Sequence, residues 1–98
     1  MFGNLFKKTD YKQLIADGAV IIDVRSKGEY TGGAIPGSEN IPLPTLSLKM
    51  KQIKSLQAPI ICVCASGMRS GAAKAQLKAA GIDAHNGGPW TKMLPYVG

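Results

Sequence analysis

Histidine and tryptophan occur once each in the 98 residues, cysteine twice and arginine twice, and acidic side chains number six against twelve basic ones. With His85 as the sole imidazole, there is little basis for a Cys–His–Asp nucleophile system. Whatever activates a cysteine here has to be mostly backbone, helix dipole and cation. Cys62 and Cys64, one residue apart, make no disulfide framework, and C-x-C without further cysteine or histidine is a poor zinc site. No metal is therefore expected. The shortage of acid leaves a formal charge of +6, carried by ten lysines and two arginines. Lys49, Lys51, Lys54, Lys74 and Lys78 fall on outer helix faces, and no basic stripe alternates with aromatics. That excludes nucleic acid as the expected partner and leaves a solvated surface whose field concentrates small anions. No apolar run approaches the ~20 residues that cross a bilayer, so no membrane role is expected. The start, Met1 to Lys8, has no charged segment ahead of a long apolar one and is not a secretory signal. A cytoplasmic protein is the expectation, folded as one domain over residues 1–98.

What is present centres on Pro59 to Gly71. Ile60-Ile61-Cys62-Val63-Cys64 is an apolar, partly β-branched run after a proline, as in a parallel strand covered on both faces. Small residues then lead to Arg69, and from Ser70 to Ala80 the spacing of Ala73, Leu77 and Ala80 predicts a helix stopped by Gly81. A sulfur at the mouth of such a turn faces free backbone N–H groups and the positive end of a helix. Both favour the thiolate, the reactive form. Cys64 is the candidate nucleophile on these grounds, whereas Cys62, inside the strand, reads as inert core.

Elsewhere the chain alternates helices with buried strands. Residues 1–8 are expected to form a short edge strand or an arm, and Thr9 or Asp10 to cap a helix ending at Gly18. Ala19 to Val24 predicts a strand, and Ser26 to Glu29 has capping-box spacing for a short helix through Tyr30. Gly32 to Gly37 reads as a turn, with a brief extended segment around Ile41. Pro44 opens a helix burying Leu46, Met50, Ile53 and Leu56. Ile82 to Asn86 predicts a last strand, Gly87-Gly88-Pro89 a turn, and Trp90 to Tyr96 a final helical turn or two. Such alternation implies an α/β fold, a mainly parallel sheet with helices on both faces. Ligands in such sheets bind beyond the carboxyl ends of the strands, which puts Asp23–Arg25 and Cys64–Arg69 on one rim.

Four segments together resemble the rhodanese-like sulfurtransferase family in a small single-domain form. They are Ile22-Asp23-Val24-Arg25 with Glu29-Tyr30, then Ala34 to Pro42, the Cys64 loop with Arg69-Ser70, and Gly87-Gly88-Pro89-Trp90. Their order and spacing cover nearly the whole chain. Two departures stand out: Ala34 occupies the place of the family's usual histidine in Gly-His-Ile-Pro-Gly, and Asn86 runs directly into the glycines, a shorter spacing than is common. The resemblance implies a rhodanese-like three-layer sandwich. It also implies sulfur transfer in two steps through a Cys64 persulfide, from a small anionic donor such as thiosulfate to cyanide, a thiol or a sulfur-accepting protein. No cofactor is required, and a monomer is expected.

In that frame the backbone N–H groups of Ala65, Ser66, Gly67, Met68 and Arg69 converge on the anionic sulfur, and Arg69 either holds the donor's oxyanion or pairs with a surface carboxylate, the first being favoured by its place in the motif. Ser66 adds a hydroxyl donor or only fits the turn. Asp23 orients its neighbours rather than acting as an acid. Arg25 either binds a substrate anion or pairs with Asp23 or Glu29 to brace the loop, the second being favoured. Trp90 walls the pocket or sits in the core. Two other functions compete: a non-enzymatic persulfide carrier or partner-binding module, and a cysteine-loop phosphatase or arsenate reductase. The loops of the latter hold one residue more between cysteine and arginine than Ala65-Ser66-Gly67-Met68, and the tighter ring suits a single sulfur.

Overall fold

The structure is a computed structural model and describes residues 9–97; the expected arm at residues 1–8 lies outside that range. Helix α1 (Tyr11–Ala16) starts at Asp10, whose carboxylate accepts from the Gln13 N–H at 3.0 Å. Strand β1 (Val20–Asp23) follows, and then α2 (Lys27–Thr31) with its complete Ser26/Glu29 capping box. Next come β2 (Glu39–Asn40), a 3-10 helix (Leu43–Lys49) and α3 (Met50–Ser55). The second half holds β3 (Ile60–Cys64), α4 (Met68–Ala79), β4 (Ala84–Pro89), α5 (Trp90–Met93) and a closing 3-10 turn (Leu94–Tyr96). All strand pairs are parallel, in the order β2-β1-β3-β4.

Side chains alternate across the sheet, and that alternation makes three layers. Ile60, Cys62 and Cys64 face α3, α4 and the first 3-10 helix, in a cluster with Ile22, Leu46, Ile53, Ala73 and Leu77. Ile61 and Val63 face the other way, against Ile21, Ile35 and Met93, with Tyr11, Leu14 and Trp90 packed on them. All five residues of β3 are buried, as a central strand covered on both faces requires.

Three segments differ from the sequence reading. The helix expected from Pro44 begins as a 3-10 helix, whose three-residue period lets Leu43 and Leu46 share one side before α3 turns Ile53 inward. Leu56 ends up 48% exposed, because α3 stops one residue before it. The last strand runs on through Gly87-Gly88-Pro89 rather than turning there. A bulge makes this possible: Cys62 pairs with Asn86 and Val63 with Gly88, so Gly87 is skipped in the register. A Cβ on Gly87 would meet Ile61 Cγ2 at 2.8 Å and Val63 Cγ1 at 3.0 Å, so only glycine passes there.

Candidate active site

The rim at the carboxyl ends of β1 and β3 collects Asp23, Arg25, Cys64 and Arg69. Cys64 is the last residue of β3, and the chain reverses through Ala65, Ser66 and Gly67 before α4 begins at Met68. Gly67 adopts φ +101°, a left-handed conformation that a Cβ would strain. That twist aims the Gly67 N–H at Cys64 Sγ, 2.9 Å away, and the Ser70 N–H from the first turn of α4 lies at 3.4 Å. Ser70 Oγ is 3.3 Å from the same sulfur. Burial alone pushes the thiol upward. Hydrogen bonds from the Ser70 hydroxyl and from the Ser70, Gly67 and Ser66 backbone outweigh it, so the thiol lies below its ordinary value. Cys62, one pleat back on the same face, goes the opposite way: burial, with the neighbouring Cys64 charge, pushes it to about 12.

The sulfur does not sit at an open mouth, as the sequence led one to expect. Cys64 is 0% exposed, because the Gly67 amide closes the loop directly over it. The remaining loop residues, Ala65, Ser66 and Met68, are exposed, Met68 at 82%. Of the backbone amides assigned to the sulfur from sequence, Gly67 supplies a hydrogen bond and Ser66 a weaker contribution, and the other main donor, Ser70, lies one residue beyond the assigned set.

Arg69 points to Glu29 of α2 in a two-pronged pair, Nη1 to Oε1 at 2.8 Å and Nη2 to Oε2 at 3.0 Å. The pair is exposed, its hydrogen bonds hold the Glu29 carboxyl at about 2, and they raise Arg69 in turn. Arg25 is buried and committed. Its Nε lies 3.0 Å from both Asp23 carboxylate oxygens, its Nη2 donates to Asp23 Oδ2 at 2.8 Å and to the Gly33 carbonyl at 2.7 Å. The guanidinium carbon sits 4.9 Å from the Trp90 ring centroid, and the hydrogen bond to Asp23 raises the Arg25 pKa. Thus Arg25 braces the Gly33 turn and Trp90 walls that brace, half-buried.

One participant is absent from the sequence reading. Asn86 of β4 accepts from the Ser70 hydroxyl at 2.6 Å and from the Gly88 N–H at 2.9 Å, and donates to the Gly67 carbonyl at 3.1 Å. The signal available was the short spacing from Asn86 to Gly87-Gly88, which is where the bulge lies.

Comparison with known proteins agrees with this fold. The family profile described as a rhodanese-like domain matches residues 7–88. Uncharacterized protein YqhL of Bacillus subtilis is 38% identical over 60 residues, covering 61% of this chain and 47% of its own length. The chain therefore spans about half of that curated relative. The crystal structure of a rhodanese-related protein from Thermoplasma volcanium superposes with a TM-score of 0.74 at 28% identity, covering 88% of this chain and 84% of the other. A protein of unknown function from Rhodopseudomonas palustris, described as a possible tyrosine phosphatase, superposes with a TM-score of 0.69 at 28% identity, covering 82% of this chain and 70% of its own.

Proposed function

From the premise that this chain belongs to the rhodanese-like family, we propose that it is a sulfurtransferase of the thiosulfate type, working through a persulfide on Cys64. The observation that carries this reading is the sulfur at the amino end of α4, met by the Gly67 and Ser70 N–H groups at 2.9 and 3.4 Å. Donors so placed favour an anionic sulfur over a neutral one, and a persulfide is anionic as a thiolate is.

In the first half-reaction the Cys64 thiolate attacks the outer sulfur of thiosulfate. A bond forms between the two sulfurs, the sulfur–sulfur bond of the donor breaks, and sulfite leaves with the electron pair. In the second, cyanide or a thiolate attacks that outer sulfur, and Cys64 regains its electron pair as thiolate. Neither step needs a cofactor. Cys64 is 0% exposed, so in each step the sulfur has to be uncovered before donor or acceptor reaches it. For Arg69 to take the donor's oxyanion it has to share or leave Glu29. The protein acts as a monomer in the cytoplasm on this reading.

The decisive measurement is thiocyanate production from thiosulfate and cyanide. Wild-type protein is expected to turn over and Cys64→Ala to be inactive. Intact mass after thiosulfate alone is expected to show one added sulfur atom. A stable added sulfur with slow turnover, accelerated only by a second protein, would mark a carrier instead. Hydrolysis of an aryl phosphate, lost in Cys64→Ala, would replace the reading with the phosphatase one.

A further inference from the structure

Three hydrogen bonds hold the side chain of Asn86, and their partners fix which way round the amide lies. Gly67 offers it only a carbonyl, so the group 3.1 Å away is Nδ2. Gly88 offers only an N–H, so the atom 2.9 Å from it is Oδ1. Oδ1 has no proton to give. The 2.6 Å contact between Oδ1 and Ser70 Oγ therefore holds the hydroxyl proton of Ser70. The amide is also packed tightly on α4, since a Cβ on Gly71 would lie 3.2 Å from Nδ2.

Ser70 Oγ is simultaneously 3.3 Å from Cys64 Sγ. A serine hydroxyl has one proton and two lone pairs. While its proton lies on Asn86, the oxygen presents a lone pair to the sulfur, which suits a thiol that donates. Once the sulfur is a thiolate, two electron-rich atoms face each other, and the hydroxyl has to turn. It can do so without leaving a buried acceptor empty, because Oδ1 keeps the Gly88 N–H. The charge that faces the sulfur is Arg69 on α4, itself acted on by Glu29 of α2 and Asp23 of β1; Cys62 on the same strand feels Cys64 and Lys74 of α4 and is neutral while Cys64 titrates.

We propose that Asn86 is a positioning residue that controls the direction of the Ser70 hydroxyl, so that loss of the Cys64 proton is coupled to hydrogen bonding at the bulge of β4. The proposal uses the reading of Cys64 as the reactive sulfur, but its test does not require sulfur transfer. A protein inactive with every donor would still give the readouts below.

In wild-type protein the side-chain amide resonance of Asn86 is expected to shift with pH at the midpoint of the Cys64 thiolate, followed by ultraviolet absorbance. Ser70→Ala is expected to abolish that shift. A second measurement is a double-mutant cycle read by the pH dependence of iodoacetamide alkylation. Ser70→Ala in the wild-type background is expected to slow alkylation about tenfold at a fixed pH below the midpoint, the worth of one hydrogen bond to a charged group. In an Asn86→Asp background, where a carboxylate already retains the hydroxyl proton, the same substitution is expected to change it by less than about twofold. An Asn86 amide that does not titrate with the thiol, or equal Ser70→Ala effects in both backgrounds, would overturn the proposal.

Discussion

At the scale of single residues, the site keeps its charges paired. Arg25 is consumed by Asp23 and the Gly33 carbonyl, and Arg69 by Glu29. Glu29 serves two masters, since its Oε1 also accepts from the Ser26 N–H and hydroxyl of the capping box. Its carboxyl is lowered from 4.5 to about 2, chiefly by Arg69. A carboxyl depressed in the folded state stabilises the fold above its unfolded value and loses that contribution as pH falls through the folded one. Wild-type stability is therefore expected to decline between pH 4.5 and about 2 by an increment missing in Glu29→Gln, seen as converging urea midpoints. The increment is small because the pair is exposed. Glu29→Gln also releases Arg69. On the proposed function, KM for thiosulfate should fall roughly two- to fivefold with kcat little changed, the range an exposed ion pair allows. An unchanged KM would mean that Arg69 does not meet the donor.

At the scale of elements, two glycines set the geometry of the rim. Gly67 carries the positive φ that turns its N–H onto the sulfur. Gly67→Ala is expected to cost about 1–2 kcal/mol in strain and to raise the Cys64 midpoint, measured by alkylation against pH. Its Cβ would lie 3.4 Å from Gly88 Cα, an ordinary contact, so the cost is in the backbone conformation rather than in crowding. Gly87 is the bulged residue where β4 runs beside β3, and Gly87→Ala would crowd Ile61, Val63 and Met93. Overpacking of this kind costs about 1–3 kcal/mol, to be read as a lowered denaturation midpoint. The elements themselves were largely legible. Asp10, the Ser26/Glu29 box, and the all-apolar run Ile60–Cys64 announce α1, α2 and β3 by local chemistry. The bulge was not legible, because two adjacent glycines before a proline have the composition of a turn and only pairing with β3 extends them.

At the scale of the whole molecule, β3 and α4 form the central unit, with the sheet ordered β2-β1-β3-β4 around it. Leu77 of α4 is 0% exposed and packs in the cluster that also holds Cys62 and Cys64. Leu77→Ala is expected to destabilise the fold by about 2–5 kcal/mol, checked by urea unfolding, and to do so without moving the thiol midpoint if the loop above it stays intact. Among the described residues no helix is long and apolar enough to cross a membrane.

Periodicity, caps and breakers act over a few residues, so the chain alone determined the alternation of strand and helix, the parallel sheet, and the placing of Cys64 where β3 meets α4. Which donors reach the sulfur is a long-range matter. Arg69 finds Glu29 40 positions away, and Ser70 finds Asn86 16 positions away across two elements. Only the packed sheet brings such groups within hydrogen-bond range, and only there does burial compete with backbone amides for the charge on one sulfur.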